Sequence, residues 1–179
     1  MNASLLPLTP DEFRRATIFK GVNVLDVEHV LVHCPLVRAD TDTVILRAGQ
    51  RVERLYVLVN GSVTVRLDSP LDQPVARFSE GEIFGEFSVI DGRPASAFVV
   101  AESPCRLLGI DREALSLLIG ASPEIADNML GILITRVRQS NRFIRMLQAR
   151  LEGRPFSETA SGDDDVIEDP TGTFAGDTI

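Results

Sequence analysis

The sequence has few of the residues that bind metals or form disulfides, with two histidines and two cysteines among 179 residues. Cys34 and Cys105 stand in apolar surroundings, which is typical of reduced core thiols in a cytoplasmic protein. His29 and His33 share a helical face, but no further histidine and no HExxH pattern accompanies them, so we expect no bound metal. A metal-dependent enzyme on a β-barrel needs several histidines on strands, and both histidines precede the predicted strands. We therefore expect no enzymatic activity.

Long apolar runs are also missing. No stretch approaches the roughly 20 apolar residues that a transmembrane helix needs, and the N-terminus lacks a basic segment followed by a long apolar run. With 44% hydrophobic residues, the chain can still bury a substantial core within one domain. We expect a cytoplasmic protein that does not engage a membrane.

Basic residues are absent from the C-terminal end. Residues 157–179 contain seven acidic residues and no Lys or Arg, whereas the rest of the chain holds all 18 basic residues and 19 acidic ones. This Gly-, Thr- and Asp-rich composition cannot bury enough apolar surface to fold, so residues 155–179 are predicted to be a disordered tail. Its negative charge would repel the phosphates of a nucleic acid.

Short strand-like segments separated by turn signals occupy residues 35–110. In one of them Val63, Val65 and Leu67 alternate with polar residues, so one face is predicted to be buried. The Asn60-Gly61 pair between two such segments predicts a hairpin with a type I′ turn. Regularly spaced short strands of this kind indicate a sandwich or a closed jelly-roll barrel.

Helical patterns flank the strands. Residues 25–34 predict a helix with Asp26 as its cap, and Asp111 is predicted to cap a second helix over residues 112–120. A longer helix begins at Ser122-Pro123, since Ser is a good cap and Pro a good first helical residue.

The longest predicted helix carries a heptad seam of about 32 Å at 1.5 Å per residue. A seam of this length outreaches a small barrel, so we predict a parallel homodimer, with packing on the barrel of the same chain as the alternative. The polar residue at its centre, Ser140, is of the kind that sets register in a coiled coil. The apolar seam residues are Leu130, Leu133, Val137, Ile144, Leu147 and Leu151.

The segment of residues 84–97 has the strongest functional signal. Gly85 allows the backbone to approach a ligand closely, and the next residues predict one short helix whose first N–H groups can face an anion. Glu86 would lie among these N–H groups, where a carboxylate is favoured and can accept a hydrogen bond from a ligand hydroxyl. Gly-Glu alone is equally compatible with an ordinary helix start after a strand-end bend.

The whole segment resembles the phosphate-binding cassette of the cyclic nucleotide-binding domain family, and we call it the cassette. It reads Phe84-Gly85-Glu86, then apolar Phe87 to Ile90, the Asp91-Gly92 turn, Pro94, and Ser96-Ala97 before a strand. The resemblance covers about residues 17–151. It implies a mainly β fold with flanking helices, a double-stranded β-helix (jelly-roll) barrel with a long C-terminal helix. The implied domain spans residues 1–154, with the barrel at about 35–110 and the C-terminal helices at about 111–154.

The resemblance also implies which residues would bind a cyclic nucleotide. Family members use the Gly-Glu backbone and the Glu carboxylate for the phosphate and the ribose 2′-hydroxyl. In activator-type members the long helix forms the dimer interface and closes over the nucleotide. The implied ligand-binding residues are Phe84, Gly85, Glu86, Phe87, Ser88, Ser96, Ala97, Arg136, Ser140 and Asn141.

One position departs from the family pattern. Ala95 stands where family members have the arginine that pairs with the cyclic phosphate. Losing this charge-assisted, bidentate pair should weaken binding by roughly 3 kcal/mol, on the order of a hundredfold. The sequence therefore predicts no cofactor and weak binding of cyclic AMP or cyclic GMP. Arg93 is two residues away, and its alternatives are to reach inward or to stay in solvent.

The resemblance leaves several functions open. The leading one is a stand-alone sensor module that binds a cyclic nucleotide and signals through an unknown protein partner. Too few residues follow the long helix for the helix-turn-helix domain of activator-type members, so we expect no DNA-binding domain. The alternatives are a dimerising scaffold that binds no nucleotide and a domain that binds another ligand, such as cyclic di-GMP.

Overall fold

The structure is a computed structural model that describes residues 6–153. The predicted tail at residues 155–179 lies outside the described residues. The helices are α1 (Pro10–Arg15), a 3₁₀ turn (Thr17–Phe19), α2 (Val24–Leu31), α3 (Glu86–Asp91), α4 (Arg112–Ala121) and α5 (Glu124–Leu151). The strands are β1 (Leu36–Ala39), β2 (Val44–Leu46), β3 (Arg54–Asn60), β4 (Val63–Arg66), β5 (Ala76–Phe78), β6 (Ile83–Phe84), β7 (Phe98–Ala101) and β8 (Cys105–Asp111).

The strands form two four-stranded sheets in the orders β1-β8-β3-β6 and β2-β7-β4-β5. Every strand pair is antiparallel. Side chains from both sheets meet in one apolar cluster that includes Leu46, Leu58, Val63, Phe84 and Leu107. The predicted fold class is confirmed: a mainly β barrel with flanking helices and a long C-terminal helix.

The hairpin predicted at Asn60-Gly61 is wrong. Strands β3 and β4 flank this pair, but β3 pairs with β6 and β8, whereas β4 pairs with β5 and β7. Gly61 has a φ of +98°, and a Cβ at this position would lie 2.5 Å from the Pro104 carbonyl oxygen. The chain therefore turns here from one sheet into the other. The local turn signal is real, but it does not determine which strands pair.

The helices pack on the outer face of the first sheet. Leu55, Val57 and Val59 alternate along β3 and join a second apolar cluster with residues of α1, α2, α4 and α5. Leu58, which points to the opposite face of the same strand, belongs to the barrel interior. A strand buried on both faces has a nearly continuous apolar sequence, which explains why the run at residues 55–59 shows no alternation.

The helix caps are partly as predicted. Asp111 caps α4, since its Oδ1 accepts a hydrogen bond from the Ala114 N–H at 2.9 Å. The cap of α2 is Asn23, whose Oδ1 accepts from the Leu25 N–H at 3.2 Å. The predicted cap, Asp26, lies instead in the first turn of α2, because this helix starts one residue earlier than its apolar pattern indicated.

The N-terminal helical segment is fastened to the turn that leads into the cassette. The backbone N–H and the hydroxyl of Thr17 both donate to the Gly81 carbonyl, at 2.8 and 2.9 Å. Gly81 has a φ of +87°, and a Cβ there would lie 2.4 Å from the Arg15 carbonyl oxygen. The Asn128 amide of α5 donates to the carbonyls of Ile18 and Lys20 at 3.0 and 2.8 Å. This segment therefore contacts both the barrel and the start of α5.

The described residues divide into two units, one that ends at Thr135 and one that begins at Arg136. The first contains the barrel, the cassette and both apolar clusters. In the described part of the second, α5 continues to Leu151 and its apolar side chains are largely exposed. No single helix in residues 6–153 is long and apolar enough to cross a membrane. Only α4 and α5 taken together have the required length and apolar content, and the two helices are bent by 118° at the break between them.

Candidate functional site

The first arm of the cassette runs from β6 into α3. Tyr56 and Val57 of β3 pair with Phe84 and Ile83, and the ring centroids of Tyr56 and Phe84 lie 5.5 Å apart. A second aromatic ring, that of Phe78, stacks on Phe84 at 6.4 Å. These contacts fix the strand end, so the position of the next residue is determined by the barrel.

Gly85 makes the turn from the strand into the short helix. Its φ is +81°, and a Cβ would lie 3.2 Å from the Arg54 carbonyl oxygen and 3.3 Å from Leu46 Cδ1. Glycine adopts this left-handed conformation readily and leaves space for the close approach. A residue with a side chain would therefore displace the start of α3.

Helix α3 alternates between buried and exposed side chains. Glu86 is 1% exposed and Ser88 is also buried, whereas Phe87 and Ile90 face solvent. A carboxylate buried to this extent is rare in a protein interior. At the first position of a helix, the N-terminal end of the helix dipole favours its negative charge. The structure thus buries the Glu86 side chain at the N-terminal end of α3.

The Arg93 side chain lies in solvent. Helix α3 ends at Gly92, with a φ of +74°, and the Arg93 backbone N–H then donates to Asp91 Oδ1 at 2.8 Å. The Arg93 side chain is 85% exposed and its Nε lies 3.9 Å from Asp91 Oδ2. Of the two alternatives that the sequence leaves open, the structure shows the solvated one.

The backbone at Ala95 is held from both sides by the turn between β2 and β3. The Ala95 N–H donates to the Gln50 carbonyl at 2.9 Å, and the Gly49 N–H donates to the Ala95 carbonyl at 2.8 Å. The Ala95 side chain is 8% exposed. The main chain of this arm is therefore well anchored although the charged side chain of the family is missing.

The second arm continues through Ser96 and Ala97 into β7. Ser96 is exposed and Ala97 is half-buried. Leu46 of β2 pairs in register with Val99 of β7, and it is also the side chain next to Gly85. Leu46 therefore joins the two arms of the cassette.

The three helix residues among the candidates belong to the second unit. Arg136 is half-buried, and Ser140 and Asn141 are exposed on α5. Their predicted role beside the cassette, together with the ligand-binding role of the other candidates, stays a prediction.

Arg112, at the start of α4, contacts the cassette and is not recognisable as such from the cassette motif. Its Nε donates to the Val89 carbonyl at 2.9 Å, and its Nη2 donates to the Ile90 carbonyl. These are carbonyls of the last turn of α3. The sequence signal that could have revealed this contact is a positive charge on the first residue of a helix, where the helix dipole disfavours it.

The two histidines lie on a separate cleft of about 230 Å³, lined also by Cys34, Asp111 and Glu113. No group of three metal-binding side chains occurs among residues 6–153. Burial, and then the charge of Asp111, raise the pKa of Cys34 to about 11. Its thiol is therefore protonated at neutral pH and is a poor nucleophile.

Comparison with known proteins agrees with this geometry. Residues 36–122 match the model of the cyclic nucleotide-binding domain. The chain is 28% identical over 124 residues to the cAMP-activated global transcriptional regulator of Pasteurella multocida, covering 68% of this chain and 59% of that protein. It is 36% identical over 84 residues to a cyclic nucleotide-gated potassium channel of Mesorhizobium japonicum, covering 47% of this chain and 22% of the channel.

Solved structures give the same result. The catabolite activator protein of Thermus thermophilus superposes with a TM-score of 0.66 at 27% identity, covering 74% of this chain and 63% of that one. A cyclic nucleotide-binding domain from Methylobacillus flagellatus gives 0.58 at 25% identity, covering 83% of each chain.

The chain contains a cyclic nucleotide-binding regulatory domain, which the family model matches over residues 36–122. The family assignment made from the cassette is confirmed. The chain spans about three-fifths of the length of the curated transcriptional regulators it matches.

Proposed function

We propose that this domain senses a cyclic mononucleotide, which it binds weakly through the cassette, and that it signals through a partner protein. One observation carries the proposal: the cassette combines a left-handed Gly85 at the start of α3 with a buried Glu86, whereas Ala95 supplies no charge.

The roles of the cassette groups follow from their chemistry. The Glu86 carboxylate can accept a hydrogen bond from the ribose 2′-hydroxyl, and the first N–H groups of α3 can donate to the cyclic phosphate. The Ser96 hydroxyl can donate to the same phosphate. Arg136, Ser140 and Asn141 would complete the site from α5. The ligand in this proposal is cyclic AMP or cyclic GMP.

The expected affinity is low because the site lacks a cation for the phosphate. Arg93 makes its contacts with Asp91 and solvent, so it leaves the position empty. The lost pair is worth roughly 3 kcal/mol, which corresponds to about a hundredfold. We therefore expect binding in the range of roughly tens of micromolar or weaker.

The proposed signalling unit is a parallel homodimer formed through the heptad seam. The seam residues Val137, Ile144 and Leu147 are all more than two-fifths exposed. Exposed apolar surface arranged at heptad spacing is typical of a helix that pairs with a second helix.

Calorimetric titration of cyclic AMP, cyclic GMP and cyclic di-GMP tests the proposal. We expect weak binding of a cyclic mononucleotide to the wild-type protein and at least tenfold tighter binding to Ala95→Arg, because this change restores the charge-assisted pair. Glu86→Ala should abolish binding, since it removes the ribose contact. Arg93→Ala is the matched control, and it should leave the affinity unchanged because Arg93 faces solvent.

The other outcomes distinguish the alternatives. If neither the wild type nor Ala95→Arg binds any of the three ligands, the sensor function is wrong and the dimerising scaffold is favoured. Binding of cyclic di-GMP alone would favour a different ligand class. A loss of affinity in Arg93→Ala would show that Arg93 leaves Asp91 when the ligand binds.

A further inference from the structure

We propose that Arg112 is a positioning residue that fixes the C-terminal end of the cassette helix α3 and couples it to α4. Its guanidinium donates to the carbonyls of Val89 and Ile90. The last carbonyls of a helix find no N–H donor within that helix, so a donor from outside must satisfy them. A cation at this end also interacts favourably with the negative end of the α3 dipole.

Arg112 contradicts the preference of its own helix. It is the first residue of α4, directly after the cap Asp111, and a positive charge is disfavoured at the N-terminus of a helix. Residues that break a local rule are expected where a contact elsewhere compensates. The carbonyls of α3 provide that compensation, so the positive charge stabilises α3 rather than α4.

Helix α3 needs such support because it is only six residues long. A helix of this length is not stable by itself. Its own backbone bonds include a long one from the Val89 N–H to the Gly85 carbonyl, 3.4 Å, and a shorter one from the Gly92 N–H to the Ser88 carbonyl, 2.9 Å. Two hydrogen bonds from a charged side chain therefore add support at the C-terminal end of this short segment.

The position of Arg112 also has a consequence for the proposed sensor. The N-terminal end of α3 carries Glu86, and its C-terminal end carries the Arg112 contacts. A ligand that orders α3 from the first end strengthens the contacts at the second, and by reciprocity the placement of α4 affects ligand affinity. This coupling rests on the proposed function, whereas the positioning role of Arg112 does not.

Amide hydrogen exchange of the full chain without nucleotide tests the positioning role. The variants are Arg112→Met, which keeps the apolar stem and removes the donors, and Arg112→Lys, which keeps the charge. In Arg112→Met we expect amides of residues 86–92 to exchange roughly tenfold faster, with those of β3 and β8 unchanged, because the loss is local. Arg112→Lys should restore part of the protection. The matched control is Arg38→Met, an exposed arginine on β1, which should change nothing in residues 86–92.

Two results would overturn the positioning role. One is an unchanged exchange rate at residues 86–92 in Arg112→Met, and the other is an equal acceleration throughout the barrel, which would make Arg112 a general stabilising residue. If Arg112→Met does not fold, Arg112→Lys decides: faster exchange confined to residues 86–92 supports the proposal, and wild-type exchange contradicts it.

A nucleotide titration then tests the coupling. Cyclic AMP, or whichever mononucleotide binds the wild type, should bind Arg112→Met about fivefold more weakly, which is within the usual range of coupling between sites. Equal affinity would contradict the coupling and leave the exchange result standing. If the wild type binds no nucleotide, both the proposed function and the coupling are wrong, and the positioning role is still judged by exchange alone.

Discussion

Apolar residues serve different purposes in the two units of the chain. In the first unit, Leu58 and Leu107 are fully buried between the sheets, whereas Val137 in the second is 59% exposed and Leu151 is 88% exposed. A buried leucine contributes to the stability of its own fold, but an exposed one at heptad spacing contributes only when another surface covers it. The first unit is therefore stabilised by its own core, and the exposed apolar side chains of α5 beyond Arg136 are the surface through which we propose that the chain associates.

The largest effect is expected for a change in the barrel core. Leu107→Ala should lower the free energy of unfolding by about 2–5 kcal/mol, because it removes a fully buried side chain and leaves a cavity. Urea denaturation followed by circular dichroism measures the change. The same substitution at Leu71, which is 89% exposed, should alter stability by less than about 0.5 kcal/mol. Equal losses at both sites would contradict the assignment of the core.

A charge in the seam should separate the subunits and leave the barrel folded. Val137→Asp places a carboxylate within the proposed interface, one seam position before the central Ser140, where burial without a partner is costly. We expect the mass from light scattering at micromolar concentration to fall from two chains to one, with the barrel signal in circular dichroism retained. The control is Gln139→Asp, which adds the same charge off the seam and should preserve the dimer. A wild-type protein that is already monomeric would contradict this prediction.

A smaller effect is expected at the cap of α4. Asp111→Ala should cost about 1 kcal/mol, since it removes the acceptor for the Ala114 N–H. Asp111→Asn keeps a capping side chain and should recover most of that stability. Thermal unfolding of both variants measures the difference, and identical melting temperatures for Asp111→Ala and the wild type would rule out a capping contribution.

No effect on folding is expected from removal of residues 155–179. Their composition cannot support a core, so the melting temperature should stay within a degree or two, the range of a surface change. Calorimetry of the shortened and full chains makes this comparison. A drop of many degrees would mean that the acidic segment docks on the domain, and the arginines of α5 would then be its first candidate contact.

Much of this structure follows from local sequence. The short helix after Gly85, the strands around residues 55–67 and the cap at Asp111 were all predicted from residue types within a few positions. Local patterns fail where the deciding contact is distant. The strand before Asn60-Gly61 pairs with β6 and β8, and the strand after it pairs with β5 and β7. A turn signal carries no information about such distant partners.

In the candidate site, too, local sequence predicts some residues and misses those whose contacts are distant. Gly85 and Glu86 are recognisable in the sequence because their backbone and charge preferences are local. The contacts of Arg112 with Val89 and Ile90 join residues more than 20 positions apart, and the bonds that hold Ala95 come from main-chain groups of Gly49 and Gln50. Main-chain groups are the same in every residue, so composition cannot reveal such an anchor.

The anchoring of Ala95 also bears on how domains of this kind diverge. The hydrogen bonds from Gly49 and Gln50 reach only the main chain of residue 95, so we expect the shape of the cassette to persist when the side chain at this position changes. A lineage could then lose or regain the arginine without passing through an unfolded ancestor. In the proposed sensor, the concentration of messenger that elicits a response would shift by about two orders of magnitude, while selection on folding stays constant.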